Sequence, residues 1–394
     1  MFDRDDAGVV SPYGAANRSD ADVETAFTAL GPRVAVERVA RPAPARWEVD
    51  TGDPPRLDAA VFDRTLDIEW RRASYSGIVR ALHEQPLIGS EPETELTEDE
   101  DVPGNSVMVR AEDAGEDILR GIPLGLAAMP GGTLVGTVVH SILERTEFDA
   151  PDLAAEVGAA LDREVTWRNV DLGNRDEVVA GLCTAIEGPL GSKACGMRLR
   201  DIGRRDRIDE LGFELPIVGG DRPTGTLQVT EFARVLHAHL PADDPVARYA
   251  DRLGDPLLSG DLRGYLTGSL DLVFRLTDGR YALADYKTNR LGGIDETLTA
   301  WHYRPPAVEA EMAAAHYPLQ GLLYSVALHR YLRWRLAAYD ARVHLGPILY
   351  LFVRGMSALG PPATLEPPCG VWSWQPPAAL TEALSDLFDQ GASA

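Results

Sequence analysis

The sequence predicts an α/β fold in which helices flank a central mixed β-sheet, and three observations carry that reading. The first is a β-hairpin, Tyr265 to Leu276 and Arg280 to Thr288, joined by Thr277-Asp278-Gly279. The second is a set of helical patterns on both sides of it. Leu134, Val135, Val138, Val139, Ile142 and Leu143 recur at helical spacing, and a long amphipathic helix is expected from about 307 to 336. The third is the apolar run Leu345 to Val353, which reads as a buried strand. Strands separated by helices, with an antiparallel hairpin among them, describe a mixed sheet between helical layers.

The elements follow in order. Residues 1–65 are rich in Ala, Pro, Asp and Arg with weak periodicity, and read as a loosely structured lead-in. Ordered structure is expected from Trp70-Arg71-Arg72-Ala73-Ser74-Tyr75, with Ser76 capping a short helix over 77–82. Residues 66–130 read as a connecting segment containing an acidic linker at about 87–118, where Glu91, Glu93, Glu95, Glu98, Asp99, Glu100 and Asp101 crowd together. The main domain is placed at 131–394. It opens with a helix from Gly132-Thr133, followed by helices over 152–163 and 175–190 and a strand over 209–217. A helical excursion over 227–251 precedes the hairpin. A short strand Val371 to Trp374 and a helix over 378–389 close the chain.

Composition narrows the function classes. In 394 residues, 45% are apolar and 25% charged, the proportions of a globular protein with a large core. Lys and Arg total 38 against 61 Asp and Glu, and the net charge of −23 argues against coating nucleic acid or an anionic membrane by bulk charge, while leaving room for a local basic groove. No apolar run reaches the ~18 residues of a membrane span, and the acidic start Met1 to Asp6 does not resemble a signal peptide. Cys183, Cys195 and Cys369 are too few and scattered for a disulfide framework or a four-cysteine cluster, which points to a reducing cytoplasm. No Gly-x-x-x-x-Gly-Lys-Ser/Thr phosphate loop occurs, so no ATP-driven motor is expected in these residues.

The chemistry is concentrated in the hairpin. Strand side chains alternate, so Asp285 and Lys287 share a face and Tyr286 takes the other. A two-residue loop would set Asp271 opposite Tyr286. A three-residue loop, with Gly279 supplying a positive φ, sets Asp271 opposite Asp285 and puts both carboxylates on one face. The three-residue loop is the expected one. Two close carboxylates repel, and a hard divalent ion such as Mg²⁺ relieves that. The ion can acidify water and polarise a phosphoryl oxygen, and Lys287 can stabilise developing charge. Asp285 and Lys287 alone also describe a surface ion pair. Asp271 and the aliphatic flanks open the catalytic reading beside it.

The segments Arg263-Gly264-Tyr265-Leu266-Thr267-Gly268-Ser269-Leu270-Asp271-Leu272-Val273-Phe274 and Asp285-Tyr286-Lys287-Thr288-Asn289-Arg290-Leu291-Gly292 resemble the C-terminal nuclease domain of the RecB family, within the PD-(D/E)XK nuclease superfamily. The resemblance continues through Tyr317-Pro318-Leu319-Gln320, Tyr324 and Tyr350-Leu351-Phe352-Val353-Arg354-Gly355. It also takes in Gly136-Thr137-Val138-Val139-His140, and covers roughly residue 70 onward. It implies a restriction-endonuclease-like core and a Mg²⁺-dependent deoxyribonuclease of the exodeoxyribonuclease V type. Asp271, Asp285 and His140 would hold the metal, and Lys287 would be the catalytic lysine. His140 without that setting would read as a structural residue at the edge of an apolar stripe. The family's further acid, three residues before a Phe, points to Glu210 ahead of Phe213. Glu214 competes, and strand parity puts both on one face.

Tyr317 and Gln320, one turn apart on the long helix, fall where the superfamily touches DNA; a polar edge on a packed helix is the other reading of Tyr317. Arg330, with Arg333, Arg335, His329 and Trp334, would meet a phosphate backbone or form a solvated face. The partners implied are linear DNA, chiefly as single strands, and RecC- and RecD-like subunits, with RecA as a docking partner. A non-catalytic docking module and a free-standing nuclease are the alternatives. The cysteine cluster of many free-standing relatives is absent.

Overall fold

The computed structural model describes residues 19–29, 31, 35–37, 70–75, 77–78, 118–222, 224–254, 261–293, 296–359 and 365–390. The expected Ser76 cap and the acidic run from Glu91 to Asp101 lie outside them. The chain divides into two units, Met1–Thr65 and Leu66–Ala394. In the first, helix α1 (Asp20–Thr28) starts from a capping box in which Ser19 Oγ accepts from the Asp22 N–H.

The second unit is the α/β body, built as expected of a PD-(D/E)XK core. Its main sheet runs β1 (Arg71–Ala73), β5 (Gly264–Arg275), β6 (Tyr281–Lys287), β7 (Leu345–Phe352), β8 (Val371–Trp374), and β2 (Arg207–Ile217) also pairs with β5. A small ribbon of β3 (Leu227–Gln228) and β4 (Asp261–Leu262) stands apart. β1 pairs with β5 and β6 with β7 in parallel; β2–β5, β5–β6 and β7–β8 are antiparallel. The three-residue turn is present. The Leu276 N–H donates to the Arg280 carbonyl, Arg275 pairs with Tyr281, and Gly279 sits at φ 90°. A positive φ there is cheap only for glycine.

β2 lines one edge of β5 from end to end. The other edge is shared: β1 takes Gly264 to Leu266 and β6 takes Leu272 to Arg275. Between them β5 and β6 part company, and that opening positions the site. β1 was not anticipated, because a three-residue edge strand carries no periodicity and exists only through its pairing.

Helices cover both faces. α2 (Thr133–Arg145), α3 (Leu153–Arg168) and α4 (Arg175–Glu187) pack on one, against Leu272, Phe274, Ala282, Ala284, Tyr286, Leu349 and Leu351. The other faces Val273, Leu283, Ile348, Tyr350 and Phe352. These meet α5 (Val229–His239), α6 (Ala247–Leu253), α7 (Pro305–Ala314), α8 (Tyr317–Arg335) and α11 (Ala378–Gln390). Single turns α9 (Ala341–His344) and α10 (Val353–Met356) flank β7. β6 and β7 are parallel, so the chain must cross over between them, and α7 and α8 make that crossover. The one long helix expected over 307–336 is two helices. His316 adopts φ 58° and Pro318 opens the second, where its missing N–H costs nothing. α8 is buried around most of its circumference from Tyr317 to His329, so the solvent face expected of an amphipathic helix is confined to its C-terminal end.

Two contacts fix α2 against β6. A Cβ on Gly136 would lie 3.2 Å from Thr288 Oγ1, so the glycine permits the close approach. The fully buried Arg354 guanidinium donates to the carbonyls of Leu126 (3.0 Å), Met129 (2.6 Å) and Pro130 (2.5 Å) in the turn before α2, and of Thr288 (2.8 Å) just past β6.

On α8, His329 is buried and its Nδ1 meets the Tyr339 hydroxyl at 2.8 Å. Burial, with Arg333 and Arg330 nearby, pulls its pKa down to about 4 from an ordinary 6.5. The neutral ring is therefore the folded form, and its contribution is complete above pH 6.5 and drains away as pH falls toward 4. Linkage sets the loss at roughly 3 kcal/mol. Urea unfolding of the chain and of His329→Gln should show a stability gap that narrows by about that much between pH 7 and pH 4. A gap that stays constant would contradict the assignment.

Candidate active site

The site forms where β2, β5, β6 and α2 meet. β2 and β5 pair residue for residue, Asp209 with Leu272 and Leu211 with Leu270, but the rung between these pairs is missing. Its two residues are Glu210 and Asp271. Glu210 adopts φ 50°, a left-handed conformation costing a non-glycine residue about 1–2 kcal/mol. On the far edge of β5 the ladder to β6 ends at Leu272–Ala284, one step before Asp271 would face Asp285. The Asp271 carboxylate takes over there: its Oδ2 accepts the Tyr286 N–H at 2.8 Å.

His140 comes in from α2 on the exposed edge of the stripe formed by Val135, Val138, Val139, Ile142 and Leu143. Its Nδ1 lies 3.3 Å from Asp271 Oδ2, and its ring meets Tyr286 edge-on at 5.8 Å. Among the described residues, His140, Glu210 and Asp271 form the group of donors able to hold a metal ion, with one ligand atom from each within 4.8 Å of the others. Glu210 Oε2 also accepts from Ser269 Oγ at 2.7 Å. Ser269 was not singled out from the sequence, although it lies two residues before Asp271 and strand parity could have found it.

The electrostatics differ between the two acids. Burial pushes the Asp271 carboxyl up, but His140, Lys287 and the Tyr286 N–H outweigh it and hold it below the usual carboxylate range. Partial desolvation raises Glu210, and the neighbouring Asp271 charge adds to that. Asp271 is therefore a committed anion, and Glu210 is the acid that a bound cation would relieve most. Two carboxylates and an imidazole are a mainly oxygen donor set of the kind that takes a hard divalent ion.

Asp285 stands outside this group. Asp285 and Lys287 do share a face of β6, but it is the α8 face. Asp285 Oδ2 pairs with Lys287 Nζ at 2.8 Å, and both side chains are almost fully buried. Tyr317 and Tyr350 box in the ammonium, their ring centres 4.4 and 5.8 Å from Nζ. The hairpin register is the expected one, and the β5–β6 ladder ends one pair before Asp271 and Asp285. Glu214, the competitor of Glu210, pairs with Thr267 and binds Arg72 Nε at 3.0 Å, away from the group.

The chain is 43% identical to the RecBCD enzyme subunit RecB of Mycolicibacterium smegmatis over 344 residues, which is 86% of this chain and 31% of that protein. The chain is a RecB homologue. RecB of Mycobacterium tuberculosis H37Rv gives 43% identity over 86% of this chain and 30% of its own length. RecB of Escherichia coli K12 gives 30% over 87% and 25%. The chain thus spans less than a third of the length of these curated relatives. No family model matches it. Among the described residues, no helix is long and apolar enough to cross a membrane.

The remaining residues expected to contact DNA in this RecB homologue occupy different places. Tyr317 is buried, exchanges hydrogen bonds with the Asn289 side chain and stacks on Tyr350. Gln320 is buried between the Tyr324 and Tyr350 hydroxyls. Arg330 is a clamp on α11: it donates to Ser385 Oγ (3.0 Å), the Ser385 carbonyl (2.7 Å) and Asp389 (2.7 Å), with 11% of its side chain exposed. A phosphate-contacting role does not fit that position. Its partners lie more than 50 residues away, beyond the reach of a local pattern.

Breaking a buried ion pair by removing one partner costs more than removing both. Lys287→Met should therefore destabilise the chain by about 3–5 kcal/mol, and Lys287→Met/Asp285→Asn by clearly less than the sum of the single changes. Urea unfolding of the cycle checks this. Simple additivity would mean that the pair is not the buried unit described.

Proposed function

We propose that the chain is a metal-dependent deoxyribonuclease that hydrolyses DNA phosphodiester bonds with Mg²⁺, acting in the end processing that precedes recombinational repair. The observation that carries this reading is the convergence of His140, Glu210 and Asp271 at a missing sheet rung, with donor atoms within 4.8 Å of one another. The homology supports it. The relatives are subunits of an enzyme named RecBCD, so DNA and subunits corresponding to RecC and RecD are the partners this reading assigns.

A bound Mg²⁺ would supply Lewis-acid polarisation of a phosphoryl oxygen and a more acidic water. The chain's own residues prepare for that. Asp271 is kept ionised and aimed by the Tyr286 N–H and His140. Ser269 orients Glu210. The net charge balance is also suitable: Glu210, Asp271 and Asp285 against Lys287 leave −2 before His140 is counted, which a divalent cation offsets. Lys287 is a fixed positive charge whose field reaches Asp271. It is held by Asp285, Tyr317 and Tyr350 rather than floating in solvent, the kind of preorganised charge that stabilises a transition state.

Purified chain incubated with linear single- and double-stranded DNA should cleave in Mg²⁺ and not in EDTA. Asp271→Asn and Glu210→Gln should each lose at least ~100-fold in rate while keeping the far-ultraviolet circular dichroism of the folded chain, an effect of the size seen when one transition-state contact is removed. Cleavage that persists in Asp271→Asn would overturn the assignment.

A further inference from the structure

The end of α3 packs against α2 at Ser141, the residue after His140. Glu164, 2% exposed, binds two guanidiniums at once, Arg145 Nε at 2.8 Å and Arg168 Nε at 3.2 Å. Arg168 Nη2 also donates to Ser141 Oγ at 3.3 Å, and Ser141 follows His140 on α2. One buried carboxylate shared by two arginines leaves the cluster with a surplus positive charge, on a chain whose net charge is −23. It also fixes one arginine at the end of α2 and the other against α2, the helix that carries His140. Trp167 is 73% exposed, and Arg168 Cζ lies 4.7 Å from its ring centre. Arg163, one helical turn earlier, is exposed and has no ion pair among the described residues.

A guanidinium held over a broad, solvent-facing indole, with a second one fixed by the same carboxylate, makes a platform for unpaired nucleotides: the cations meet phosphates and the ring stacks on a base face. A duplex hides its base faces, so the indole favours a single strand. We infer that Trp167, with the Arg145–Glu164–Arg168 cluster, is a single-stranded DNA contact that receives nucleotides flanking the scissile phosphate. This rests on reading the neighbouring donors as a nuclease centre.

Binding of a 5′-labelled dT20 by the whole chain, followed by fluorescence anisotropy in EDTA, tests the contact without cleavage. Trp167→Ala should weaken Kd about tenfold, the size of one lost base stack. Arg168→Gln should lower the slope of log Kd against log salt by about 0.7, one phosphate contact on a single strand. Trp334→Ala is the control. Trp334 is 76% exposed with Arg335 beside it, but it lies about 25 Å along α8 from Tyr317, and it should leave Kd unchanged. The inference is overturned if Trp167→Ala binds dT20 like the parent chain, if the chain does not bind dT20, or if Trp167→Ala weakens a blunt duplex equally. The first result would make the indole a protein-contact residue. The nuclease reading fails separately, through Mg²⁺-dependent cleavage that survives in Asp271→Asn.

Discussion

The Asp271 carboxylate replaces a piece of β-sheet. One rung of the β2–β5 ladder is missing at Glu210 and Asp271, and the β5–β6 ladder stops one step before Asp271. A sheet that merely lost those pairs would leave backbone groups unpartnered, at about 1–3 kcal/mol each when buried. Asp271 instead accepts the Tyr286 N–H and so ties β5 to β6 across the opening. The same carboxylate meets His140, which links the sheet to α2. Structure and site therefore depend on one side chain, and the left-handed backbone of Glu210 is the strain that accompanies the arrangement.

Around that point the fold supplies rigidity from both faces. On the α2 side, Arg354 gathers the carbonyls of Leu126, Met129, Pro130 and Thr288, so the entry to the His140 helix and the exit of β6 move as one piece. On the α8 side, Lys287 is held between Asp285 and two tyrosine rings, with Tyr350 hydrogen-bonded in turn to Gln320. Gln320 and Tyr317 thus belong to the packing that holds Lys287, Gln320 through Tyr350 and Tyr317 through its own ring. The donor group and the lysine approach the same opening from opposite faces of the sheet, an arrangement that keeps the ammonium from neutralising the ligands outright.

Much of this was legible in local sequence. The turn residues fixed the hairpin register, because a positive φ at its third position calls for glycine. The stripe on α2 was read from spacing, and the RecB resemblance singled out His140, Asp271 and Glu210. Parity could not separate Glu210 from Glu214; the break in the strand at Glu210 does, and no propensity announces it. The expectation for Asp285 rested on a correct register, but the β5–β6 ladder ends at Leu272–Ala284 and Asp285 pairs with Lys287 on the α8 face. The expectation for Arg330 rested on charge alone, and partners more than 50 residues away on α11 decided its place. The break at His316 was hinted at by Pro318 and hidden by the apolar character of both flanking helices.

The proposed chemistry requires His140, Glu210 and Asp271 to act together as one cation site. The most direct measurement is a titration of the metal-free chain with Mn²⁺, counting free and bound ion by electron paramagnetic resonance, beside Asp271→Asn and Glu210→Gln. One tight site per chain is expected, weakened at least tenfold by either substitution, on the order of what loss of a supporting ligand contact costs. Mn²⁺ binding of equal affinity and stoichiometry in Asp271→Asn would contradict it.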